Sequence, residues 1–136
     1  MKKITALITI TAGLAVLPAS YALAAWTELG ANDVMTVSID TDTLRKDGDK
    51  AQILSMLNLK KPGANPNTKE AVSSLIGLNE YNCSNATYRP IEFKEFSGNK
   101  GAGKVVSDNK SPDAPFEPIV NGSWTAGVFN AACNTK

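Results

Sequence analysis

The sequence predicts an α+β fold, one antiparallel sheet of five or six strands with a C-terminal helix packed on one face and one disulfide. Three observations predict it. Segments of period two or short apolar runs recur from Trp26 to Ser107. The apolar period becomes helical only in the last segment, Trp124 to Cys133. The chain has 2 cysteines, Cys83 in the middle and Cys133 near the end, so each has one partner to choose from.

Residues 1–24 read as an export signal. Lys2 and Lys3 precede an apolar run from Ile4 to Val16, Pro18 breaks it, and Ala22-Leu23-Ala24 is a small-x-small cleavage site. The run falls short of the roughly 20 residues that span a bilayer. Cleavage after Ala24 leaves residues 25–136 as one small domain, with no second apolar run and hence no expected membrane span. The Met-Lys-Lys start points to a bacterial envelope, so the expected destination is periplasm or outer cell surface. There the two cysteines meet oxidant and bridge. A loop of roughly 50 residues closed this way is worth about 4 kcal/mol in the chain-entropy model.

The elements follow in order. Trp26–Ala31 is a short first strand. Val34–Asp40 alternates, with Met35, Val37 and Ile39 on one side and Thr36, Ser38 and Asp40 on the other. Thr41–Leu44 reads as a turn or a single helical turn, and Asp47-Gly48 as a hairpin. Ala51–Leu59 is apolar in both phases, as a central strand covered on both sides should be. Lys60–Lys69, with Pro62, Gly63 and Pro66, reads as a mobile loop. Strands Ser74–Cys83 and Thr87–Phe96 come next, the second with Phe96 out of phase. A glycine-rich turn at Ser97–Gly103 leads to a short strand, Lys104–Ser107. Pro112, Pro115 and Pro118 make Asp108–Pro118 an extended linker. Ser123 is the expected N-cap of the terminal helix, whose Trp124, Val128, Ala131 and Ala132 share a face.

Composition excludes several functions. With 14 basic and 13 acidic residues, and Lys2 and Lys3 lost with the signal, the exported chain is close to neutral. Nucleic-acid binding needs a basic surplus. The chain has 0 histidines, which removes the commonest general base and metal ligand. Gly98-Asn99-Lys100-Gly101-Ala102-Gly103-Lys104 has phosphate-loop spacing, but Val105 stands where Ser or Thr should hold magnesium, and strand follows instead of helix. It is read as a turn. The cysteines are too far apart for a Cys-x-x-Cys redox pair and too few for zinc. Asn-x-Ser/Thr triplets such as those at Asn82, Asn85 and Asn121 carry no weight in a bacterial protein. The carboxylate pairs Asp40/Asp42, Asp47/Asp49 and Glu92/Glu95 are expected on turns or solvent faces, and a serine nucleophile would need an activating base that only a lysine could supply here. The reading is a non-enzymatic protein with no cofactor and no metal.

The order of pieces resembles the surface-adhesin protein E family. The pieces are Trp26, Val37-Ser38-Ile39-Asp40, Leu44-Arg45-Lys46-Asp47-Gly48, Glu80-Tyr81-Asn82-Cys83, Tyr88-Arg89, Gly101-Ala102-Gly103-Lys104-Val105-Val106, Glu117-Pro118-Ile119, Gly122-Ser123 and Ala132-Cys133. The resemblance covers essentially all of residues 25–136. It implies a twisted antiparallel sheet with a C-terminal helix, joined by one disulfide. It also implies dimerisation and binding of host extracellular-matrix proteins. The chain departs from the family in lacking a cysteine for lipid attachment at the cleavage point, and in having Asn82 and Ser84-Asn85-Ala86 around the first cysteine where the family carries charge.

The expected function is therefore that of an exported binding protein with a protein partner, from host matrix or the envelope, and with sheet edges that could pair two copies. The alternative is a periplasmic accessory protein with an envelope partner. A carrier or enzyme would instead need a deep apolar pocket with convergent polar groups. The candidate partner-binding residues are Lys60 and Lys61 on the expected loop and Tyr88 and Arg89 on a strand.

Overall fold

The computed structural model describes residues 25–134; the expected export signal lies outside the described residues. The described residues form seven strands and one α-helix: β1 (Trp26–Ala31), β2 (Met35–Asp47), β3 (Lys50–Ala64), β4 (Ala71–Asn82), β5 (Thr87–Phe96), β6 (Val105–Lys110), β7 (Glu117–Pro118) and α1 (Trp124–Cys133). β1 to β6 lie side by side in chain order and antiparallel. The two-residue β7 pairs with β5, Thr87 opposite Pro118 and Tyr88 opposite Glu117.

Register sorts the residues onto two faces, because successive side chains alternate. Ala51, Tyr81 and Tyr88 form one row across β3, β4 and β5, and Val37, Leu57 and Leu75 another across β2, β3 and β4. This is the helix face. Its core is Val37, Ile39, Ala51, Ile53 and Tyr81 from the sheet with Val128 and Ala132 from α1. Ser123 caps the helix as expected, its hydroxyl accepting from the Ala126 N–H at 3.3 Å. Trp124 and Ala131 are half-buried, and Thr125 is buried with Val128 and Ala132. Cys133, the last helical residue, is bonded to Cys83, one residue past β4, with Cα atoms 5.6 Å apart.

The far face is covered around Asn58 and Ser74 by the glycine-rich connection between β5 and β6. The Ser74 hydroxyl donates to the Gly98 carbonyl at 2.7 Å and accepts from the Gly101 N–H at 2.9 Å. Asn99 and the Lys100 N–H both donate to Asn58 Oδ1. β3 is thus covered on both sides, as its double apolar phase predicts.

Four expectations need correction. Thr41–Leu44 is not a turn; β2 runs on to Asp47 through a register shift between Asp40 and Arg45, and the Thr43 hydroxyl caps the irregularity by donating to the Asp40 carbonyl and accepting from the Leu54 N–H. The first half of the expected Lys60–Lys69 loop is strand: β3 continues to Ala64, and Asn65 closes a short turn by accepting from the N–H groups of Asn67 and Thr68. The expected linker is shorter at both ends, since β6 reaches Lys110 and β7 takes Glu117 and Pro118. The carboxylates are not all on solvent faces: Asp40 is only 7% exposed, and half-buried Glu95 accepts from Asn65 and Ser107.

Candidate functional site, an arginine cleft under a proline strap

The far face left open by the glycine-rich connection carries a polar cleft. The alternation that sends Tyr88 to the helix face sends Arg89 to the far face, opposite Glu80 on β4 and, beyond it, Gln52 on β3. Arg89 Nε donates to Glu80 Oε1 at 2.9 Å and Nη2 lies 2.7 Å from the same oxygen. Gln52 Nε2 donates to the second oxygen, Oε2, at 2.9 Å. Burial pushes the Glu80 carboxyl up, but the hydrogen bonds from Gln52 and Arg89 and the charges of Arg89 and Lys50 outweigh it and hold the group below its ordinary value.

The roof comes from the segment between β6 and β7. The Ser111 N–H donates to the Ile91 carbonyl at 2.7 Å, and pairing resumes at Glu117, so the intervening residues bow out and over the far face. Phe116 lands over Arg89, 4.6 Å from guanidinium carbon to ring centroid, and Lys50 Nζ is 5.8 Å from the same ring. Arg89 Nη1 also donates to the Ala114 carbonyl at 3.4 Å. Pro112 and Pro115 lie in the strap and Pro118 at its end, limiting its backbone freedom. Arg45, Lys46 and Asp47 from the end of β2 complete the walls of a cleft of about 320 Å³. Arg45 donates to the carbonyls of Asp42 and Leu44.

The expected binding residues are therefore split. Tyr88 stacks on Tyr81 at 6.1 Å and meets Trp124 edge-on at 6.5 Å, so it packs the helix against the sheet. Burial, with the nearby Glu117 charge, pushes its phenol above the usual value. Lys60 and Lys61 are exposed where β3 bulges between the Asn58–Ser74 and Gly63–Val72 pairs. Lys60 is eight residues along β3 from Gln52, about 26 Å at the usual strand rise. Arg89 alone of the four lies in the cleft. Sequence reasoning missed Phe116, Lys50, Glu80 and Gln52. The offset from Glu80 to Arg89 across a short hairpin was the available signal for that ion pair; nothing local marks Phe116.

The helix face has its own apolar cleft of about 310 Å³ beside Trp124, with Leu57, Leu75, Pro90 and Phe93 in its walls. Its floor polar groups bond to each other, Asn79 Nδ2 to Ser55 Oγ at 3.3 Å. They do not form the convergent set a specific small-molecule site uses. No described helix is long and apolar enough to cross a membrane.

Comparison with known proteins agrees with this architecture. No curated protein matches the chain in sequence. Crystal form II of Haemophilus influenzae protein E superposes with a TM-score of 0.57 at 16% identity, over 72% of this chain and 80% of that one. A structure of protein E from non-typeable Haemophilus influenzae gives 0.54 at 14% identity, over 88% of this chain and 82% of that one. These likenesses establish the shared fold. The family model for surface-adhesin protein E matches residues 26–134, and with that extent of match the chain belongs to the surface-adhesin protein E family.

Proposed function

We propose that this chain is an exported, non-enzymatic, adhesin-like protein that binds a protein partner through the far face of its sheet, at the cleft around Arg89. The observation that supports this is the placement of Arg89: a guanidinium oriented by Glu80, stacked under Phe116 and framed by Lys50 and Arg45, on a face the helix leaves free. Arginine and aromatic side chains dominate binding hot spots, and a group already fixed in place loses less freedom on binding. Chemistry has little to work with there. Glu80 is engaged by Arg89 and Gln52, and the chain has no histidine to act as base.

The partner is sought among host extracellular-matrix proteins, which the family's adhesin character favours, with envelope proteins tested in parallel. Immobilised residues 25–136 should capture a partner from one of these two sources, and Arg89→Ala should weaken capture at least about tenfold. Equal capture by Arg89→Ala would remove the cleft from the binding face. Protease shaving of intact cells then separates an outer-surface location, in which the protein is cleaved, from a periplasmic one, in which it is spared.

A further inference from the structure

We infer that the segment this cleft receives is an acidic peptide, its carboxylates meeting Arg89, Lys50 and Arg45 and an adjoining apolar group resting on Phe116. The inference rests on the reading of the cleft as the binding face and names the chemistry of its ligand. Charge is the first argument. Three cations, Arg45, Lys50 and Arg89, share the cleft walls with two carboxylates, Asp47 and Glu80, so these far-face groups sum to a positive charge although the chain as a whole is nearly neutral. Both oxygens of Glu80 are already taken, one by Arg89 and the other by Gln52. Glu80 therefore orients the guanidinium and has no oxygen open to Arg45 or Lys50, although the Lys50 charge still acts on it.

Arg45 and Lys50 are held by uncharged groups. Arg45 donates to backbone carbonyls of its own strand, and Lys50 leans toward the Phe116 ring. A carboxylate entering the cleft would set a full negative charge against these cations in place of carbonyl dipoles and a ring face. The Arg89 fork keeps hydrogens beyond those used on Glu80 and Ala114, since a guanidinium carries five donors.

Phe116 decides between kinds of polyanion. A sulfated glycan brings dense charge and little apolar surface, and suits a long basic track. Here a few cations surround one aromatic ring at the lip of a cleft of about 320 Å³. That mixture fits acidic residues interleaved with an apolar one.

Fluorescence anisotropy with the disulfide-intact protein tests this. The probes are labelled hexaglutamate, the same peptide with one central phenylalanine, and hexalysine, with a heparin-type oligosaccharide as competitor. The glutamate peptides should bind and hexalysine should not, with the phenylalanine peptide the tighter. Arg45→Ala and Lys50→Ala should each weaken binding about fivefold, the effect of one half-exposed charge pair. Lys61→Ala, at the far end of β3, should leave it unchanged. Phe116→Ala should erase the preference for the phenylalanine peptide. Displacement by the oligosaccharide at lower concentration than by hexaglutamate would overturn the peptide assignment. If no acidic peptide binds while a protein partner is still captured in an Arg89-dependent way, this inference falls and the reading of the cleft stands. If capture ignores Arg89, both fall.

Discussion

At the scale of the residue, Glu80 shows how one carboxylate can serve both fold and site. It is 8% exposed and lies between Gln52 and Arg89, in the strand before the disulfide. Its folded-state pKa is lowered from the ordinary 4.5. A group lowered on folding binds its proton less well in the native state, so it adds stability above its unfolded value and loses that contribution as pH falls through the folded one. Thermal unfolding should therefore show a midpoint that declines below about pH 4.5 more steeply in wild type than in Glu80→Gln. The variant keeps the shape, can accept from Arg89 through its one amide oxygen, and has no proton to gain. Parallel declines in the two proteins would mean that the Arg89 pair contributes nothing to folding.

At the scale of the element, the sequence was clearest where one periodicity ruled and least clear where local and long-range demands disagreed. Val37, Ile39 and the Trp124–Cys133 helix follow their patterns, because a buried face selects them. Pro62, Gly63 and Pro66 argued for a loop, yet β3 runs to Ala64. Its bulge removes Lys60 to Pro62 from the β4 ladder, and the missing proline N–H then goes unneeded. The proline strap was legible as irregular chain, but its ring–guanidinium contact with Arg89 joins residues 27 apart in sequence, which no local pattern encodes. The β5–β6 connection offers a sharper test. Gly103 has φ +79, and a Cβ there would lie 2.2 Å from Ser97 Oγ and 2.9 Å from the Gly98 nitrogen. Gly48 has φ +60 with open space around it. Gly48→Ala should cost about 1 kcal/mol from conformation alone. Gly103→Ala must also move backbone and should cost upwards of about 2 kcal/mol in urea unfolding. Equal costs would show that the connection yields freely and does not hold the far face.

At the scale of the whole molecule, the two faces of one sheet are assigned different work, and the disulfide belongs to one of them. Cys83 and Cys133, 50 apart in sequence, tie the end of α1 to the end of β4 on the helix face, where Val128 and Ala132 have 0% exposure. A helix of ten residues is marginal alone in water. Two outcomes of removing the bond can be told apart. If the bond acts through the unfolded chain, Cys83→Ala/Cys133→Ala should lose about 4 kcal/mol, with native helical signal and a urea m-value no lower than wild type's, since the uncrosslinked unfolded chain exposes more surface. If it is what keeps the helix docked, the m-value and the helical signal should both fall. Full burial of Val128 and Ala132, with Trp124 packed on Tyr88, favours the first. Arg89, Glu80 and Phe116 lie on the other face and are held by their own contacts, so the double variant, while folded, should capture partner as wild type does. Loss of capture in a folded double variant would place the binding surface on the helix side and refute the division of labour between the faces.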